Sequence, residues 1–258
     1  MGIGAFLRIA VLALAAILLL APSAGALILS YNTPSGALDK DGDPVSARAD
    51  VSTTGGILTI SLTNLQNNPH AAGQLISDFG FTLSTGQTTG TLTSSTAQFG
   101  RSVKDDKSYD LTGVNVPTGW ALQNNFNAGG FLDGIGLRLC DLCPGGAAPT
   151  HTIIGGPDAT NHYTAANSSI ANTGGPHNPF LAGVVTFTIN IPGLTSEAWV
   201  DSVFFSFGTE EGDNVRGECT LSCIPVPPRV PEPSSLLLLG MGLLGLAGFG
   251  LRKRFNTK

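Results

Sequence analysis

Charge is scarce in this chain. Lys, Arg, Asp and Glu make up only 12% of the 258 residues, roughly half the usual share for a soluble domain. Bases are the scarcer sign. From Leu27 to Arg229 there are 8 Lys and Arg against 17 Asp and Glu, a net charge of −9. Such a surface repels a phosphate backbone, so nucleic acid is excluded as a partner. Amphipathic helices are missing as well. Between the two terminal segments no stretch of 10 residues repeats its apolar positions at helical spacing. There is no G-x-S-x-G elbow, no Ser/His/Asp grouping that can be placed, no phosphate loop and no internal repeat. No cofactor is expected. Carboxylate pairs for glycoside cleavage are a separate matter, because their geometry leaves no sequence signature.

What the chain does have is alternation. Leu58, Ile60 and Leu62 alternate with Thr59, Ser61 and Thr63 within Ile57–Asn64. Phe79, Phe81 and Leu83 alternate with Gly80, Thr82 and Ser84. Val185, Phe187, Ile189 and Ile191 do so with Thr186, Thr188 and Asn190, and Val203, Phe205 and Phe207 with their neighbours. A period of two marks half-buried strands. Further strands are expected at Leu27–Tyr31, Arg48–Thr53, Thr91–Phe99, Trp120–Phe126 and Ile135–Leu139. Gly55-Gly56, Thr85-Gly86 and Pro192-Gly193 supply turns between them. Eight to ten short strands with polar turns predict an all-β fold, a single antiparallel β-sandwich of jelly-roll-like arrangement. The stretch Asp141–Pro179 breaks the rhythm, with one short apolar piece at Thr152–Ile154, and reads as a long surface loop.

The two ends are different in kind. Near the amino terminus Arg8 precedes an apolar run, Ile9–Leu20. Pro22 and Ala24-Gly25-Ala26 follow. This is the layout of a secretory signal peptide with cleavage after Ala26. Near the other end, Pro225, Pro227, Pro228, Pro231 and Pro233 predict an extended linker. Leu236–Leu251 then runs without a charge and is followed by Arg252, Lys253 and Arg254. Sixteen residues make about 24 Å of helix, marginal for a bilayer core that needs about 20 residues. Lys and Arg are retained on the cytoplasmic side, so the basic cluster is a stop signal and the bulk of the chain lies outside. The expected organisation is residues 1–26 signal helix, 27–224 ectodomain, 225–235 linker, 236–251 transmembrane helix and 252–258 cytoplasmic tail.

The order of elements in the tail resembles the PEP-CTERM sorting signal of Gram-negative bacteria. The resemblance rests on Val230, Pro231, Glu232, Pro233 and Ser234, then on the Gly- and Leu-rich segment, then on Arg252, Lys253 and Arg254. It implies recognition by an exosortase, an integral-membrane protease-like enzyme, and processing near the Pro-Glu-Pro triplet. It further implies transient anchoring in the inner membrane, a final place at the cell surface or in the extracellular matrix, and an association with exopolysaccharide. The stretch Val203–Asn214 resembles one found near the end of many such ectodomains, where a core strand runs into Phe-Gly-Thr and an acidic turn.

Four cysteines form two close pairs, Cys140/Cys143 and Cys219/Cys223. In an oxidising compartment two disulfides are expected, with three connectivities open. Asp39, Asp41 and Asp43 stand at alternate positions with Asp50 further on. They match positions 1, 3, 5 and 12 of a calcium loop, but Pro44 replaces the needed glycine and position 12 is Asp rather than Glu. A hydrated acidic turn is the expectation there, with calcium the weaker reading. Glu210, Glu211 and Asp213 are a second such turn. His151, His162 and Asp158 read as polar loop residues, and Trp120, Trp199, Tyr31, Tyr109 and Tyr163 as core aromatics.

The chain therefore reads as an exported surface or matrix protein that is no enzyme, with a structural or adhesive role in a polysaccharide layer. The alternatives are a hydrolase or lyase acting on that polysaccharide from a sandwich scaffold, and an anchored protein that is never processed.

Overall fold

A computed structural model of the chain describes residues 28–141, 143, 151–210 and 212–220. The expected signal helix, linker, transmembrane helix and basic tail all lie outside these residues. Among the described residues thirteen strands follow one another, interrupted by a single 3-10 turn at Ala72–Gln74. They are β1 (Ile28–Asn32), β2 (Ala47–Thr54), β3 (Ile57–Asn64), β4 (Ile76–Leu83), β5 (Thr91–Val103), β6 (Tyr109–Pro117) and β7 (Ala121–Asn127). Then come β8 (Ile135–Cys140), β9 (Ile153–Ile154), β10 (Phe180–Asn190), β11 (Val200–Phe207), β12 (Asn214–Arg216) and β13 (Glu218–Cys219). The fold is all-β, as the alternation requires.

The pairing falls into two antiparallel runs. One is β6-β5-β10-β3-β2-β1-β13 and the other is β7-β8-β4-β11-β12. The short β9 stitches them, parallel to β10 and antiparallel to β4. The chain passes from one run to the other between β3 and β4, β4 and β5, β6 and β7, β10 and β11, and β12 and β13. These crossings give the sandwich its jelly-roll-like character.

The two runs obey different burial rules. In the first, β3 alternates fully: Leu58, Ile60, Leu62 and Asn64 are buried while Ile57, Thr59, Ser61 and Thr63 are half-buried. Val185, Phe187 and Ile189 of β10 stand in register with Leu62, Ile60 and Leu58, so one face supplies the core. Thr59, Ser61, Thr186 and Thr188 face outward. In the second run all eight residues of β4 are buried. Phe79 and Phe81 face the sandwich interior beside Phe205 and Val203. Gly80 lies on the opposite face directly beneath Phe204, and a Cβ there would collide with that ring. Phe126 and Phe131 close over Phe204 from outside, with ring centroids 6.0 and 6.4 Å away.

The runs meet across the core. The Tyr31 hydroxyl of β1 donates to the carbonyl of Val200 on β11. Thr53 of β2 donates to the Ala198 carbonyl at 2.9 Å. Trp120 packs tilted against Phe187, ring centroids 5.2 Å apart, and its indole N–H donates to the His151 carbonyl.

The segment after β9 carries no further strand until β10, yet it is packed. Tyr163, Ala166 and Ile170 are buried with Ala72, Leu75, Val103, Ile154, Phe180 and Ala182 in a cluster of their own. Asn178 ties this segment down, accepting from the Val103 amide and donating to the carbonyls of Val103, Ile170 and Asn172. Arg101 lies 4.5 Å from the Tyr109 ring centroid and donates to the Tyr163 hydroxyl.

Candidate functional site

The first and last described residues lie at one place in the sandwich. β13 pairs antiparallel with β1, Tyr31 opposite Cys219 and Asn32 opposite Glu218. The amide and hydroxyl of Thr220 both donate to the Ser30 carbonyl, at 3.0 and 3.1 Å. Thr220 is thus fastened two residues from Ile28, the first described residue. The last strand among the described residues closes the edge of the sheet next to the first. Val230, Pro231, Glu232, Pro233, Ser234, Arg252, Lys253 and Arg254 lie outside the described residues. Among the described residues no helix is long and apolar enough to cross a membrane.

Cys140 and Cys143 are joined to each other at the end of β8, with Cα atoms 5.4 Å apart. Of the three connectivities open to the sequence, this local one is realised. Cys219 is disulfide-bonded as well, while Cys223 lies outside the described residues.

The calcium candidates do not assemble as a linear loop. Asp39 is buried, and its Oδ1 accepts from the amides of Asp41 and Asp43 at 3.0 and 2.8 Å, folding the turn on itself. Asp43 faces His70 at 3.8 Å. Asp50 sits on the outward face of β2, where it accepts from the Ser30 hydroxyl and from Arg48. It belongs to a sheet-surface network, not to the turn.

What joins the first turn is the second one. The Lys40 amide donates to Asp213 Oδ1 at 3.1 Å, and its ammonium pairs with Glu210. Burial pushes the Asp213 carboxyl up; the Lys40 amide opposes this, and the charges of Asp39 and Asp41 add to it. Lys40 holds Glu210 below the usual carboxylate range. Glu211 lies outside the described residues. As they stand, no three His, Cys, Asp or Glu side chains among the described residues are gathered to hold a metal ion.

The remaining candidates have structural partners. Asp158 caps its own turn, accepting from Thr160, His162 and Thr164. The Thr160 and Thr164 hydroxyls hold its carboxyl far below the ordinary range. The His151 amide donates to Asp141, 3.1 Å. Tyr31, Trp120 and Tyr163 are buried, so none of the three is available to stack on a sugar. Burial pushes the Tyr163 phenol up to about 12.

Sequence reasoning missed one pair. Asp78 on β4 and Arg138 on β8 form an ion pair of 2.7 Å, with side chains 0% and 5% exposed. The Arg138 guanidinium also lies 4.9 Å from the Phe126 ring centroid. The available signal was a charge inside each of two otherwise apolar strands, ISDFGF and IGLRLC.

An all-β domain described to Thr220, followed in the sequence by a Pro-rich stretch, an apolar segment and a basic cluster, is the layout of an exported protein with a sorting tail. Residues 229–254 match the PEP-CTERM protein-sorting motif. The motif marks the chain as an exosortase-targeted protein destined for secretion and for sorting to the surface or beyond. No curated protein and no solved structure matches the chain.

Proposed function

We propose that an exosortase processes this chain near Pro231-Glu232-Pro233 and that the released sandwich serves as a structural or adhesive component of an exopolysaccharide matrix. The sorting motif at residues 229–254 carries the reading. Three features of the domain support it. Its net charge keeps it solvated and away from anionic lipid. One sheet presents an outward face of Ser and Thr, including Thr59, Ser61, Thr186 and Thr188, suited to hydrogen bonding with a hydroxylated polymer. The aromatics Tyr31, Trp120 and Tyr163 serve the core, which favours a scaffold over a polysaccharide-cleaving enzyme.

The test is fractionation of cells and matrix, followed by co-sedimentation of the purified protein with the isolated polymer. The proposal expects a shortened chain in the matrix fraction that pellets with the polymer. A chain that stays in the cell envelope and never pellets with it would overturn the matrix role.

A further inference from the structure

The two acidic turns are about 170 residues apart in sequence but adjoin in space, and their junction is chemically unfinished. Asp39 is 6% exposed, and only its Oδ1 is used. Its Oδ2 is buried and has no hydrogen-bond partner. An anionic oxygen in that state is unfavourable unless something pairs with it. The atom is aimed at a specific place. The point where a Cβ on Gly73 would sit lies 2.9 Å from Asp39 Oδ2 and 3.9 Å from Asp41 Oδ2. Two carboxylate oxygens from alternate positions of one turn thus converge over a residue with no side chain. Gly208, which opens the second turn, packs against the backbone of Gly73. From that turn Asp213 reaches the Lys40 amide between the two converging aspartates. Lys40 already has Glu210 as its partner.

We infer that this junction binds one calcium ion, held by Asp39, Asp41 and Asp213, with water completing the shell. The three side chains do not form a closed cage in the structure. Binding therefore draws Asp213 onto the preformed Asp39–Asp41 pair and fastens the β11–β12 turn to the β1–β2 turn. Calcium suits the site better than magnesium. It accepts six to eight oxygens in loose geometry, whereas magnesium demands a tight octahedron. Two partly open turns imply the weak affinity of extracellular modules, a Kd on the order of 10⁻⁴–10⁻³ M. The inference is independent of the matrix role, since it concerns the domain whatever its location.

The test uses the full chain in detergent. Isothermal titration with calcium chloride should give one saturable site in that affinity range, and magnesium at the same concentrations should bind more weakly. Asp39→Asn and Asp213→Asn keep an Oδ1 that can accept the amides of Asp41, Asp43 and Lys40, so the turns persist. Each should weaken calcium binding at least tenfold. Asp110→Asn, at a distant exposed pair with Lys104, should not. Hydrogen exchange of wild-type protein gives a second readout: calcium should slow the amides of residues 39–43 and 212–213. No saturable binding, binding that survives both substitutions, or exchange at those amides that ignores calcium would each overturn the site.

Discussion

The tail and the sandwich carry different kinds of information. In the tail, function follows from the order of short elements: a Pro-Glu-Pro triplet, an apolar segment and a basic stop. No long-range contact is needed to read it. The sandwich is the reverse. Its alternation gives the architecture, but its chemistry depends on pairs far apart in the chain. Asp78 meets Arg138 across 60 residues, and Lys40 meets Asp213 across 173. A sorting signal must be recognisable by an enzyme that also handles other folds, so it has to be local. A core has no such constraint.

If the two regions are independent, each can be broken without the other. The largest effect belongs to the tail. Replacing Pro231, Glu232 and Pro233 with alanine should abolish processing altogether and leave the thermal midpoint of the domain unchanged. Intact mass and calorimetry on the same sample check both halves. Next comes the buried ion pair. Arg138→Ala should lose about 3–5 kcal/mol in urea unfolding, because it breaks a buried ion pair. The double replacement Asp78→Leu with Arg138→Met should recover much of that loss, and neither should alter the processing site.

Gly80→Ala sets a methyl group against Phe204 and should cost about 1–3 kcal/mol by overpacking, again with normal processing. The smallest effect has the opposite sign. The folded-state pKa of Asp213 is raised, so its protonated form is the one the fold favours. That stability is full below the unfolded pKa and is lost as pH rises through the folded one. Asp213→Asn keeps the group neutral at every pH. In calcium-free buffer at neutral pH it should therefore raise the midpoint, by less than roughly 4 °C. The gain should vanish in acid. Calcium should reverse the order of the two proteins.

Much of the fold was legible because one sheet has a wet face. Ile57–Asn64 alternates since Thr59, Ser61 and Thr63 look outward, and the strand has the expected bounds. Where both faces are dry, alternation fails. The expected strand began at Phe79, whereas β4 starts at Ile76, because Ile76, Ser77 and Asp78 are all buried. Where both faces are wet it fails too. None of the nine residues of β6 is fully buried, and Tyr109–Pro117 gave no signal. The span after Cys143 lacked periodicity because Tyr163, Ala166 and Ile170 pack through irregular turns. The two acidic turns were visible singly. Their meeting was not, since the β11–β12 hairpin had first to fold beside the β1–β2 turn.

The central claim is that the chain is sorted through its tail. Intact-mass measurement of the protein recovered from its native cells tests this most directly. The account predicts a mature chain that ends near Pro231–Ser235. A chain that still carries Lys258 in those cells would contradict it.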